Sequence, residues 1–293
     1  MLKPTVLLDQ FIEKIFILSM AWPSFVKLML KISHHEDNTE VISNINNFLN
    51  KKPDLSKKAD SAANQKATAY RNGCVFLSIL GILTFYLAIL PYALDIPGNL
   101  EHLVGTLEIV AFVVTAGLVF YLINKKKQWT ESRSEAEERR YENLKSLASQ
   151  KNVTEELRLE FTKHLAEQLA YNNERIKMYE SIEEGSKRLT WAFFLITFGA
   201  VLAHMIYHHE WLLLVTAGFP MMIAATHALN SLANVPRLTD DHKRIYSKLQ
   251  KIDTGFKMNA DQISALATRL YETLTNNDED WKVKTLENPV TPG

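Results

Sequence analysis

The stretch Gly105-Thr-Leu-Glu108-Ile-Val-Ala-Phe-Val-Val-Thr115-Ala-Gly-Leu-Val-Phe-Tyr-Leu-Ile123-Asn-Lys125-Lys-Lys-Gln-Trp129-Thr-Glu-Ser-Arg133-Ser-Glu-Ala136-Glu137-Glu-Arg139-Arg140-Tyr141 decides how the chain is read. Its first half is apolar over enough residues to cross a hydrocarbon core of about 30 Å. Its second half is charged, rich in helix formers and free of Gly and Pro. No breaker separates the halves, so the pattern predicts one helix running from lipid into water. Glu108 is the exception within the apolar half. An ionisable side chain inside a span costs a few kcal/mol or more, and marks either a pathway or a buried partner.

Working outward, three more apolar runs of this kind appear. The first span is expected at Gly73–Leu94, with no charge between Arg71 and Asp95. Asp95-Ile-Pro97-Gly98-Asn-Leu-Glu101-His102 then makes a short turn into the second span, at about 103–123. The third is expected from Leu189 to about His204 and the fourth from Trp211 to about Leu229, joined through Tyr207-His208-His209-Glu210. Trp191, Tyr207 and Trp211 stand where interfacial aromatics belong. Pro220 is expected to kink the fourth helix, and Gly218, Ala224, Ala225 and Ala228 give it a small-residue face. Arg71 and Lys125–Lys127, set against an acidic turn, place the ends of the first hairpin in the cytoplasm.

The 293 residues carry 33 basic and 33 acidic side chains, so net charge gives no argument for a nucleic-acid partner. The mean hydropathy of −0.10 averages apolar runs with highly charged segments. A single cysteine, Cys74, excludes an internal disulfide and a cysteine-based zinc site.

These blocks give an organisation. Residues 1–33 read as an N-terminal amphipathic helix, with Leu7, Phe11, Ile15, Leu18 and Trp22 near one face. That face suits either the membrane interface or burial in the protomer. Residues 34–58 form a polar linker, and 59–150 hold the first hairpin with its stalk. Residues 151–235 hold the second stalk helix and second hairpin. Within them Thr154 is the expected cap of a helix at 155–188, antiparallel to one at 124–150. Residues 236–293 form two cytoplasmic helices, with a turn allowed at Gly255, and a tail. The fold class is therefore an all-α integral membrane protein, with four transmembrane helices in two hairpins and long cytoplasmic helical extensions.

Catalytic signatures are absent, with no phosphate-cradling glycine loop, metalloprotease histidine pair or nucleophile elbow. The chain does not read as an enzyme, and no cofactor or metal is expected. Neighbouring histidines at His34-His35 and His208-His209 project differently on a helix. Glu108 reads either as pore lining or as a hydrogen-bonded packing residue answering His204 across the hairpins. Thr115, two turns further along, and His204 complete the pore-lining candidates. Lys51, Lys52, Lys57 and Lys58 are candidates for an anionic ligand. Positive-inside topology and headgroup attraction already explain Lys125–Lys127.

Trp129-x3-Arg133-x2-Ala136-Glu137, directly after a two-span hairpin holding Glu108, resembles the SLATT family of prokaryotic membrane effectors. Ala59-Asp60 before Tyr70-Arg71 at the first span is similar to that family as well. The resemblance covers roughly 56–290 and is strongest over 59–141. It implies an oligomeric pore of an anti-phage system in the bacterial inner membrane, with both termini cytoplasmic. It further implies gating by a nucleotide messenger from a partner nucleotidyltransferase, and Trp129, Arg133 and Glu137 holding the stalk together. The second hairpin and residues 1–33 exceed the family's two-span unit. Four spans per protomer enclose no wide path, so a homo-oligomer is expected, with a tetramer as the simplest symmetric choice. A membrane-anchored scaffold that conducts nothing is the alternative.

Overall fold

The structure is a computed structural model and describes residues 16–33, 58–149, 155–258 and 262–287. Expectations for residues 1–15, the linker through Lys57, the Thr154 cap and the tail past Glu287 lie outside the described residues. Seven helices fill the described part: α1 Phe16–Ser33, α2 Lys58–Ala93, α3 Gly98–Ala148, α4 Glu155–Tyr207, α5 Leu212–Leu232, α6 Val235–Met258 and α7 Ile263–Glu287. There is no strand among these residues.

Four helices are long and apolar enough to cross a membrane, in α2, α3, α4 and α5. As the sequence predicts, α3 passes unbroken from its apolar half into its charged half. The same holds for α4 in the opposite direction, from charged to apolar. Pro91 and Pro220 both lie inside helices, which the membrane-type sequence tolerates because neighbours re-satisfy the freed carbonyls.

The apolar segments pack as an open row in the order α3, α2, α5, α4. The outer two have little of their apolar window buried inside the protomer, 17% for α3 and 6% for α4, against 28% for α2. At the centre of the row, α2 and α5 approach closely. A Cβ added at Gly218 would collide with the Tyr86 ring and hydroxyl, so any larger residue there requires the Tyr86 side chain to move.

Two apolar cores hold the rest. One lies where the spans meet the charged halves and draws on α1 to α6, including Trp22, Met29, Tyr70, Leu122, Trp129, Tyr179, Ile182 and Leu238. The other lies further out and joins Phe161 and Leu165 of α4 to Leu249 of α6 and Ile263, Ala267 and Leu270 of α7. The charged halves of α3 and α4 do not pair with each other as their sequence order suggests. Instead α3 packs along α7 and α4 along α6, and the apolar stripes of α6 and α7 close with Phe161 and Leu165 of α4 into the second core. Gly255 stays inside α6 with Leu266 against it, so the chain turns only after Met258. The α5–α6 corner is made by Asn234 in the left-handed region (φ 54°), where Asn is tolerated, and by Pro236 at the start of α6.

Candidate functional site

Glu108 lies on the α3 stripe that also carries Val104, Ala111, Leu118 and Leu122, all buried. That stripe is the face α3 turns to α2, so Glu108 is half-buried at the groove between two spans rather than on the outward face. No other described residue makes a hydrogen bond or ion pair with it. Thr115 lies on the same stripe, half-buried, and its hydroxyl donates to the Ala111 carbonyl at 2.8 Å. His204 does not answer Glu108. It sits on α4 at the other edge of the row, with Nδ1 3.2 Å from the His209 carbonyl.

The polar residues that converge do so below the spans, around Arg71 of α2. Its guanidinium lies between two indoles, 5.4 Å from the Trp22 ring centroid and 5.5 Å from that of Trp129. Arg71 Nη2 donates to the Tyr179 hydroxyl at 3.0 Å. Trp129 stacks on Tyr70 at 5.4 Å, and the Tyr70 hydroxyl donates to the Leu232 carbonyl at 2.9 Å. One cation thus ties α1, α2, α3 and α4 together, with Tyr70 adding α5. Trp129 is part of this knot.

From Tyr179 the contacts continue outward. The His242 ring stacks on Tyr179 at 5.8 Å and meets Tyr171 edge-on at 5.9 Å. His242 Nδ1 is 2.8 Å from Asn172 Oδ1. The Asn172 amide nitrogen donates to the Gln168 carbonyl at 2.8 Å, so its oxygen accepts and His242 Nδ1 carries the proton. Lys243 to Glu180, at 2.7 Å, and Thr239 to Glu183, at 2.6 Å, hold α6 along the same side of α4.

Beside His242 a small cavity of about 40 Å³ opens between α3, α4, α6 and α7. Arg133 and Glu137 line it with Tyr171, Asn172, Asp241 and Asn277. Arg133 pairs with Glu137 at 3.5 Å within α3, and Glu137 is buried. The stalk motif therefore splits between two places: Trp129 in the knot and the Arg133–Glu137 pair at the cavity. Room for one or two waters is what a polar cavity of this size offers. A nucleotide does not fit it as it stands.

His242 is held well below the ordinary imidazole range, first by burial and then by Arg133, Arg175 and Arg71. The folded chain then binds fewer protons than the unfolded one once pH falls below about 6.5. The stabilisation is complete above that pH and is lost on acidification, by up to about 1.4 kcal/mol per pH unit. Thermal unfolding in detergent between about pH 7.5 and about pH 5.5 should show this loss, and His242→Gln should flatten it. An equally steep dependence in His242→Gln would assign it to other groups.

Lys51, Lys52 and Lys57 lie outside the described residues, and Lys58 opens α2. The Lys125–Lys127 run is not uniformly turned to headgroups or solvent. Lys125 and Lys126 are buried, Lys125 with its ammonium 5.2 Å from the Tyr121 ring centroid, and only Lys127 is exposed. Arg71, Tyr179 and His242 were not legible as a unit, since no local pattern links Arg71 to Tyr179, 108 positions on, or Tyr179 to a histidine on another helix. Comparison of the chain with protein-family models, with curated proteins and with solved structures finds no match, so the geometry of these residues carries the functional argument.

Proposed function

We propose that the chain assembles into a homo-oligomeric membrane pore, a tetramer in the simplest case, gated from its charged side by a nucleotide messenger. In this reading it is an anti-phage effector of the bacterial inner membrane, which depolarises the cell when a partner nucleotidyltransferase makes the messenger. Both termini and the charged halves of α3 and α4 are cytoplasmic. The observation that supports it is the open row of four spans. The row encloses no path of its own, leaves the α3 and α4 edges for neighbours, and holds Glu108 in a groove that a path between copies would border. The knot around Arg71 gives a stalk movement a route to the spans.

Current across a planar bilayer, with and without a nucleotide extract of phage-infected cells, tests this. Extract-dependent current is expected from the wild type. A carboxylate about 4 Å from a cation in water contributes about 1 kcal/mol, so Glu108→Gln should cut cation preference about fivefold. Current with unchanged selectivity would leave the pore and make Glu108 a packing residue. No current from correctly assembled protein would favour a membrane-anchored scaffold that recruits a soluble partner. One observation favours that second reading: Glu108 shares its stripe with residues α3 buries against α2.

A further inference from the structure

The way α1 is anchored fixes its direction. Toward its middle, the Trp22 backbone N–H donates to Asn72 Oδ1 at 2.7 Å, and the Trp22 ring takes the Arg71 guanidinium. Those two α2 residues immediately precede the apolar run that begins at Gly73. At its C-terminal end, Arg188 Nη1 of α4 donates to the Ile32 carbonyl at 3.3 Å, and Arg188 immediately precedes the apolar run that begins at Leu189. Between these anchors, a Cβ on Gly185 would strike the Met29 backbone, so α1 lies directly on α4 there. At 1.5 Å per residue the anchors are about 15 Å apart along α1. Both are nonetheless at the level where a span begins. The axis of α1 therefore runs along the membrane surface, not through it.

A helix in that position has two environments, and its side chains are sorted accordingly. Trp22, Val26, Met29, Leu30 and Ser33 are buried against α2 and α4. Ser24, Lys27, Leu28 and Lys31 are exposed and fall on one narrow stripe on the opposite side. Leu28, a large apolar side chain, is 49% exposed between two lysines. Lys187 is exposed beside the Arg188 anchor, and Trp191 is exposed one turn further into the span. Two ammonium groups on long stems flanking an apolar side chain complement the phosphates and first methylenes of a lipid surface.

We infer that the Lys27–Leu28–Lys31 face of α1 is a docking surface for the phosphate headgroups of anionic lipids. It uses only the membrane-crossing assignment of the four helices and is independent of whether the protein conducts. Each basic residue at an anionic surface favours binding by about fivefold, so the two lysines together favour contact of this face with an anionic over a neutral surface about thirtyfold.

The full chain carrying Ser24→Cys, labelled with an environment-sensitive fluorophore, reports this directly, because Cys74 is buried and its labelling is controlled with the unsubstituted protein. In vesicles containing phosphatidylglycerol the label should emit to the blue and resist an aqueous quencher, relative to vesicles of phosphatidylcholine alone. Adding inorganic phosphate to the phosphatidylcholine vesicles should change nothing, which separates lipid phosphate from free phosphate. Raising salt should reverse the shift in the otherwise unsubstituted chain, without any need for a charge variant. Lys27→Glu with Lys31→Glu should abolish it. The inference is overturned by equal emission in both vesicle types, by a shift from inorganic phosphate alone, or by a salt-insensitive shift retained in the double variant. A blue shift in phosphatidylcholine that grows with protein density would also overturn it, by assigning the face to a second copy.

Discussion

Replacing Trp129 with alanine should destabilise the protein more than any other single change in the stalk. The side chain is 3% exposed, stacks on Tyr70 and forms one wall around Arg71. Removing a buried indole costs about 3–5 kcal/mol. Here the loss also leaves a cation with one aromatic face where it had two. A fall in the thermal midpoint in detergent is expected, together with faster proteolysis at the start of α1, which loses its neighbour on the Arg71 side. Trp129→Phe keeps an aromatic face and should recover much of the loss. A Trp129→Ala protein as stable as wild type would mean that the remaining contacts of α3 with α2 and α7 hold it in place.

The next largest effect is expected at the contact between the two middle spans. Gly218→Leu drives a side chain into the space filled by the Tyr86 ring. Overpacking of this kind costs about 1–3 kcal/mol, occasionally more. The yield of folded protein should fall sharply. Tyr86→Ala in the same chain should restore part of it, since the two changes compensate in volume, and the coupling between them is measurable as a double-mutant cycle. Failure of that rescue would show that α2 and α5 do not meet at this point in the folded protein.

Much of this architecture was written in local pattern. Four apolar runs, the absence of a breaker after Ile123 and the Pro-Gly turn at Pro97-Gly98 place the apolar helices to within a few residues, because membrane length and proline chemistry act locally. The partners of the charged halves were not written there. Sequence order favours α3 against α4, but α3 lies against α7 and α4 against α6, and the α4–α6–α7 core is made by apolar stripes far apart in the chain. The same limit hid the site. Arg71 reads as the charge that ends a span, and nothing around it announces two tryptophans on other helices. Lys125 and Lys126 show the converse error: a basic run at a span end suggests headgroups, yet two of its members face the protein, where Tyr121 takes the Lys125 charge. Glu108 was visible at once as an outlier, but the face it occupies is set by the way α3 leans on α2.

The open row of spans has unlike edges, α3 on one side and α4 on the other, and that asymmetry limits how copies can meet. If α3 meets α3, the contact is satisfied by two copies and goes no further. If α3 of one copy meets α4 of the next, the same contact repeats, and the angle between successive copies alone sets how many complete a ring. Only the second arrangement encloses a central space. In the proposed pore the number of subunits is then a property of one heterologous joint, and a single substitution at either edge can change it.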